Sequence, residues 1–172
     1  WSSDVCSSDL YSSSKLLLAG VVLAGRALRF QSSVMAACAA LAVGMSADES
    51  ANLHELAGFL LSHHLPPQWQ LFGDPSVHMW PYVYGLPAVL VVALGLWWLI
   101  SRDQAVSPVT TTRLLGAFLL FFSGAVAMEL VQHWWPANLL PVVFGQVSLL
   151  MLLEESMENV GASVLLWAAV QA

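Results

Sequence analysis

Seven acidic residues stand inside apolar runs of this sequence: Asp48, Glu49 and Glu55 in one stretch, Glu129 in a second, and Glu154, Glu155 and Glu158 in a third. Carboxylates crowded at low dielectric repel one another, and the repulsion is relieved by protonation, by pairing with cations or by binding a metal ion. Basic partners are scarce. The chain has five Lys plus Arg in 172 residues, and all are read at the ends of apolar stretches. Metal ions or shared protons must then balance the charge. Carboxylate oxygens with imidazole nitrogens suit a divalent metal such as Zn, Fe or Mn, and this many acids can hold two. A metal lowers the pKa of a bound water to about 7 and makes it a nucleophile, with a remaining Glu as general base. The expected site comprises Asp48, Glu49, Glu55, Glu129, His133, Glu154, Glu155 and Glu158, with Asn52, His54 and His63 as supporting polar residues. Two other readings stay open at this point. The same side chains can form a proton or cation path of a transporter or channel component, or they can be hydrated interfacial acids of a structural or assembly protein.

Helical spacing decides which of these residues share a face. At ~100° per residue, Asp48, Asn52 and Glu55 fall within roughly 60° of one another, with Glu49 at the edge and His63 one or two turns on. Glu154, Glu158 and Gly161 share a face that Glu155 flanks, and Glu129 precedes His133 by one turn. His54 points nearly opposite to Glu55 and joins that site only if the helix distorts. Gly116, Gly124 and Gly161 are small positions that let helices approach. His63, His64 and His78 form a weaker metal-binding pattern, read more readily as a polar helix end. No glycine-rich phosphate loop, Gly-x-Ser-x-Gly, Cys-x-x-Cys or His-Glu-x-x-His occurs in the sequence.

The elements that must position these residues follow from composition. The chain is 58% hydrophobic and 9% charged, with a mean hydropathy of +0.73, whereas a soluble domain carries roughly a quarter of its residues charged. Clustered positive charge for nucleic acid is lacking, and the hydrophobicity excludes a disordered chain. Two cysteines offer no disulfide framework, and Cys38 reads as a packing residue. A helix crosses the ~30 Å apolar layer of a bilayer with about 20 residues. Stretches 31–64, 82–100, 112–135 and 141–172 read as spans, and 15–30, interrupted by Arg26, as a further candidate. The fold expected is an all-α integral membrane helical bundle of four spans and a candidate fifth at the N-terminus.

Positive charge is retained on the cytoplasmic side of membranes. Arg26, Arg29, Arg102 and Arg113 lie in two connections, while 65–81 and 136–140 contain no Lys or Arg. Residues 26–29 and 102–113 are therefore placed in the cytoplasm, and 65–81 and 136–140 outside. Trp80, Tyr82, Tyr84, Trp134 and Trp135 then sit at the outer headgroups, and Trp97 and Trp98 at the inner ones. Counting ~1.5 Å per residue from the cytoplasmic arginines puts Asp48 and Glu129 roughly 25 to 30 Å up. Glu154 reaches that depth if the last membrane segment starts near Val147, with 139–146 along the interface. If that segment enters at Pro141, Glu154 lies near the midplane. The first arrangement is favoured, because it gathers the acids and leaves a long apolar stretch after Glu158.

The chain opens on Trp1 and stays apolar to Ala172, so a piece cut at both ends is expected. Val5-Cys6-Ser7-Ser8-Asp9-Leu10 is what a common sequencing adapter gives when translated, so residues 1–10 are set aside as a non-native tail and 11–172 taken as one transmembrane domain.

Asp48-Glu49 and His54-Glu55, followed late by Glu154-Glu155-Ser156-Met157-Glu158 and an apolar span, resemble a pattern in uncharacterised bacterial polytopic membrane proteins. Glu129 corresponds to the lone Glu between them, and the resemblance covers about residues 25 to 172. It brings no established activity. A more distant similarity is to intramembrane zinc hydrolases such as alkaline ceramidases and adiponectin-receptor-like proteins, seven-span bundles with His, Asp and Ser around zinc. This chain has fewer spans and lacks their late His-x-x-x-His pair. The partners these readings imply are the lipid bilayer and a lipid-like substrate, with no nucleic acid.

Overall fold

Helices α1 (Ser7–Phe30) and α2 (Ser33–Ala51) are joined by only two residues, and local chemistry explains so short a turn. Gln31 takes the left-handed conformation at φ 51°, and the Ser32 N–H closes back on Ala27 O at 3.2 Å. That bond satisfies a carbonyl at the end of α1. Ser32 also caps the next helix, its Oγ accepting the Met35 N–H at 3.1 Å. The computed structural model describes residues 7–62, 81, 85–128, 130–131, 142–144 and 147–172. In it α2 is followed by α3 (Leu53–Ser62), α4 (Leu86–Ile100) and α5 (Pro108–Phe122). Ser107 caps α5 and Pro108 opens it. Without a break α5 passes into a π-helical turn, Ser123–Met128. Strands β1 (Val142–Phe144) and β2 (Val147–Ser148) pair antiparallel and lead into α6 (Leu149–Gln171). Apart from this ribbon, the regular structure described is all helical.

The helices pack in a row. α4 leans on α2, α2 packs on α1, α1 on α6, and α6 on α5 and the π turn. Small residues take part in the contacts: Ala19, Ala42, Ala117, Ala162, Ala168 and Ala169 are buried. Glycines set the closest approaches. A Cβ built on Gly161 would lie 2.7 Å from Phe121 N, and one on Gly20 would lie 3.2 Å from Ala39 O. Large apolar side chains point the other way, with Leu28 82%, Leu119 70%, Trp97 70% and Val91 69% exposed. Leu16, Leu23, Leu114, Leu165, Phe118 and Phe121 fill the space between these contacts, and small residues at the closest approaches with large apolar side chains left exposed suit helices packed in lipid.

Two stretches, Ser33–Ala51 and Pro108–Met128, are long and apolar enough to cross a membrane by length and composition, and Leu86–Ile100 is a shorter apolar helix. The other long helices, α1 and α6, carry Lys15, Arg26 and Arg29, and Glu154, Glu155 and Glu158, respectively. Four spans of equal standing are thus not what the helices display. The boundaries also shift. The first helix begins at Ser7 rather than near Lys15, so Lys15 sits well inside it and not at its end. The single helix expected over 31–64 is two, because the chain turns at Asn52 (φ 46°). The helix expected from Thr112 begins at Pro108, where the Ser-Pro cap signal lies. The last helix starts at Leu149, close to Val147, and the residues described before it, Val142–Phe144 and Val147–Ser148, are strands rather than helix.

Candidate functional site

The levels of the polar residues follow from how the helices run. α1 and α2 are antiparallel, so Ser12 meets Glu49 and Ser13 meets Ser46. α1 and α6 run parallel, Lys15 meeting Ser163 and Arg26 meeting Val170. α5 runs back along α6, with Arg113 at Trp167 and Gly124 against Glu154 and Glu158. One end of the row therefore collects Arg26, Arg29, Arg102 and Arg113. The other collects the acids of α2 and α6, about 21 Å of helix away when counted from Arg29 to Lys15.

At the acidic end Glu49 is buried, 8% exposed, and Ser12 Oγ donates to its Oε2 at 3.2 Å. Beside it Ser13 Oγ donates to Ser46 O at 2.9 Å and lies 3.0 Å from Ser46 Oγ and 2.7 Å from Ser50 Oγ. Ser46 Oγ in turn donates to Ser13 O at 2.9 Å. The α1–α2 seam is thus held by hydroxyls at the level where Glu49 enters it. On the far side of α1, Lys15 Nζ donates to Ser163 Oγ at 2.9 Å and reaches Asn159 O and Oδ1 at 3.4 Å each. Asn159 Nδ2 donates to Glu155 O at 3.0 Å.

Asp48 turns away from Glu49. Its Oδ1 accepts the His54 N–H at 2.8 Å and its Oδ2 lies 2.9 Å from His54 Nδ1. This pair exists because Asn52 caps α2 in the left-handed conformation and swings α3 around. The helix does distort, and His54 joins Asp48. The continuous face predicted for Asp48, Asn52 and Glu55 does not form, since Asn52 serves as the turn residue.

α1 lies between α2 and α6, so Asp48 and Glu49 share a level with the half-buried Glu154, Glu155 and Glu158 but stand on opposite sides of one helix. Among the described residues no three His, Cys, Asp or Glu come together as a metal-holding group. Glu129, His133, His63 and the side chain of Glu55 lie outside the described residues. Close approach of the π turn to α6 is shown by Gly124, whose added Cβ would lie 2.9 Å from Glu158 Cγ and 3.1 Å from Glu154 O. Single-turn π-helices recur at functional sites. Gly116, by contrast, faces open space.

Reading the sequence alone misses Lys15 and the hydroxyls of Ser12, Ser13, Ser46 and Ser50. Their signal is present: two adjacent serines one turn before an intrahelical lysine, and a Ser46–Ser50 pair at i, i+4 beside Glu49. Asp103 is missed as well. Its Oδ2 accepts from Ser32 Oγ at 2.7 Å, Val34 N at 3.0 Å and Ser33 Oγ at 3.3 Å, and its Oδ1 from Ala105 N at 2.9 Å. The Val34 N–H, outweighing a small desolvation effect and aided by Ser32, Ala105 and Ser33, holds the Asp103 carboxyl below its ordinary range. A loop residue thus caps α2 from across the bundle.

A predominantly helical fold among the described residues, two stretches able by length and composition to cross a membrane, and acids and arginines gathered at opposite ends describe the class. Within that class, the model of a family described as a domain of unknown function, DUF8692, matches residues 1–172, and the chain belongs to that family. No curated protein and no solved structure matches it.

Proposed function

We propose that the chain is a multi-pass membrane protein that binds a divalent cation among the carboxylates at the acidic end of its bundle, for hydrolytic or oxidative chemistry on a lipid-like substrate. In this reading α1, α2, α4, α5 with the π turn, and α6 all cross, with 26–29 and 102–113 in the cytoplasm and 65–81 and 136–140 outside. The resemblance to bacterial polytopic membrane proteins points the same way. The observation that carries the proposal is the common level of Asp48, Glu49, Glu154, Glu155 and Glu158 in a bundle walled by exposed apolar side chains, with Lys15 the one Lys or Arg at that level among the described residues. Oxygen donors of this kind suit Zn, Fe or Mn. Because the described donors do not close a triad, the proposed ligand set draws on Glu129 and His133, which follow the π turn against Glu154 and Glu158. Elemental analysis of the purified full chain tests the reading: stoichiometric divalent metal is expected, with loss of thermal stability on chelation. Protein without metal and indifferent to chelator overturns it.

A second reading, a proton- or cation-coupled transporter, draws on the Asp48–His54 pair and the hydroxyl seam leading to Glu49, since both are groups that hand protons on. It predicts uptake into vesicles that collapses when Glu129 is changed to Gln, without any metal requirement.

A further inference from the structure

The arginines at the opposite end have a different setting from the acids. Among the described residues none of Arg26, Arg29, Arg102 and Arg113 forms an ion pair with a carboxylate. The side-chain carboxylate of that end, Asp103, is occupied by Ser32, Ser33, Val34 and Ala105. Three of the four guanidinium groups lie over aromatic rings instead: Arg102 over Trp98 at 4.4 Å, Arg113 over Trp167 at 4.8 Å and Arg29 over Phe30 at 5.4 Å. Arg26 Nη2 donates to Val170 O at 2.6 Å. Arg26 and Arg113 therefore reach the last turn of α6 from α1 and from α5, and Trp167 and Val170 lie within that one turn.

A cation–π contact of this kind does not use up the guanidinium N–H donors, which suit a phosphate oxygen pair. Trp98 and Trp167 are themselves half exposed. Rings of this type settle at the boundary between lipid tails and headgroups. We propose that this arginine end binds the phosphodiesters of anionic phospholipids in the leaflet it faces. The belt follows the whole helix row, so it gathers several headgroups and ties α1, α5 and α6 together through them. The inference rests on the membrane reading but not on the metal or the chemistry at the acidic end.

The experiment titrates full-length protein in neutral detergent micelles with a phosphatidylglycerol and, separately, a phosphatidylcholine of the same chains. Retained lipid is read by native mass spectrometry. Preferential retention of phosphatidylglycerol is expected, falling roughly five-fold for each of Arg26→Gln, Arg102→Gln and Arg113→Gln, and falling in the wild type as salt rises. Equal retention of both lipids by the wild type, or preference untouched by salt, overturns the proposal without recourse to variants. Displacement of phosphatidylglycerol by equimolar inorganic phosphate also overturns it, since the site then reads free phosphate. Protein that stays in solution without detergent removes the membrane reading itself, a result distinct from failure to discriminate between lipids.

Discussion

The two ends of the bundle use polar residues in opposite ways. At the arginine end they complete the backbone. Ser32 ends α1 and caps α2, Asp103 caps α2 from the α4–α5 loop, and Arg26 takes a terminal carbonyl of α6. At the acidic end polar side chains are drawn between helices, with Glu49 against Ser12 and Lys15 against Asn159 and Ser163. The first end sets the register, and the second inherits it. Because α1 ends and α2 starts at one two-residue turn, Ser12 arrives opposite Glu49 roughly 25 Å away without a connection there to enforce it.

The sharpest way to break this relation is to separate helices along their length. Gly161→Leu drives a side chain into the Phe121 backbone and is expected to cost about 3 kcal/mol, read as loss of thermal stability in detergent. Gly116→Ala, facing open space, is expected to raise stability by about 0.5 to 1 kcal/mol. Next in size, Asp103→Ala removes the cap that one end supplies to α2 and is expected to cost about 1 to 2 kcal/mol. In the wild type the same contact gives an acid dependence. The folded-state pKa of Asp103 is depressed, so its contribution is complete above the ordinary aspartate value of about 3.9 and is lost as pH falls through the lower native value. An acid titration of melting temperature should lose that component in Asp103→Ala. Asn52→Ala places a Cβ-bearing residue without Asn's local hydrogen bonding at φ 46°. A cost of about 1 kcal/mol is expected, while Asn52→Gly keeps the Asp48–His54 pair. The smallest stability effect belongs to Glu49→Gln, below about 1 kcal/mol, since a carbonyl oxygen still meets Ser12. Its effect on bound metal should be far larger if Glu49 belongs to the proposed cation set, as elemental analysis of the variant will show.

Much of the fold was legible because it follows from local rules. The helical character of most of the apolar stretches that are described, the boundary between 15–30 and 31–64, the grouping of the arginines and the use of Gly124 and Gly161 as approach points need only composition, residue size and charge. Gly116 was not distinguishable from them, since spacing does not say which face meets a neighbour. The acids were legible as a class. Their directions were not: a 3.6-residue period assumes an unbroken helix, and one left-handed residue at Asn52 sends Asp48 to His54 and leaves Glu49 to Ser12. Lys15 and the serines went unread because hydroxyls and one amine carry meaning only once the opposite helix is known.

By itself the sequence determined a helical, lipid-compatible chain with acids toward one end and arginines toward the other, because hydrophobicity, caps and charge act within a turn or two. Only the tertiary structure decided that α1 stands between the acids of α2 and those of α6, and that Asp103 caps a helix far from it in the chain. Those outcomes depend on which small-residue faces come together across the bundle, and such pairing joins residues too distant in sequence for any local pattern to register.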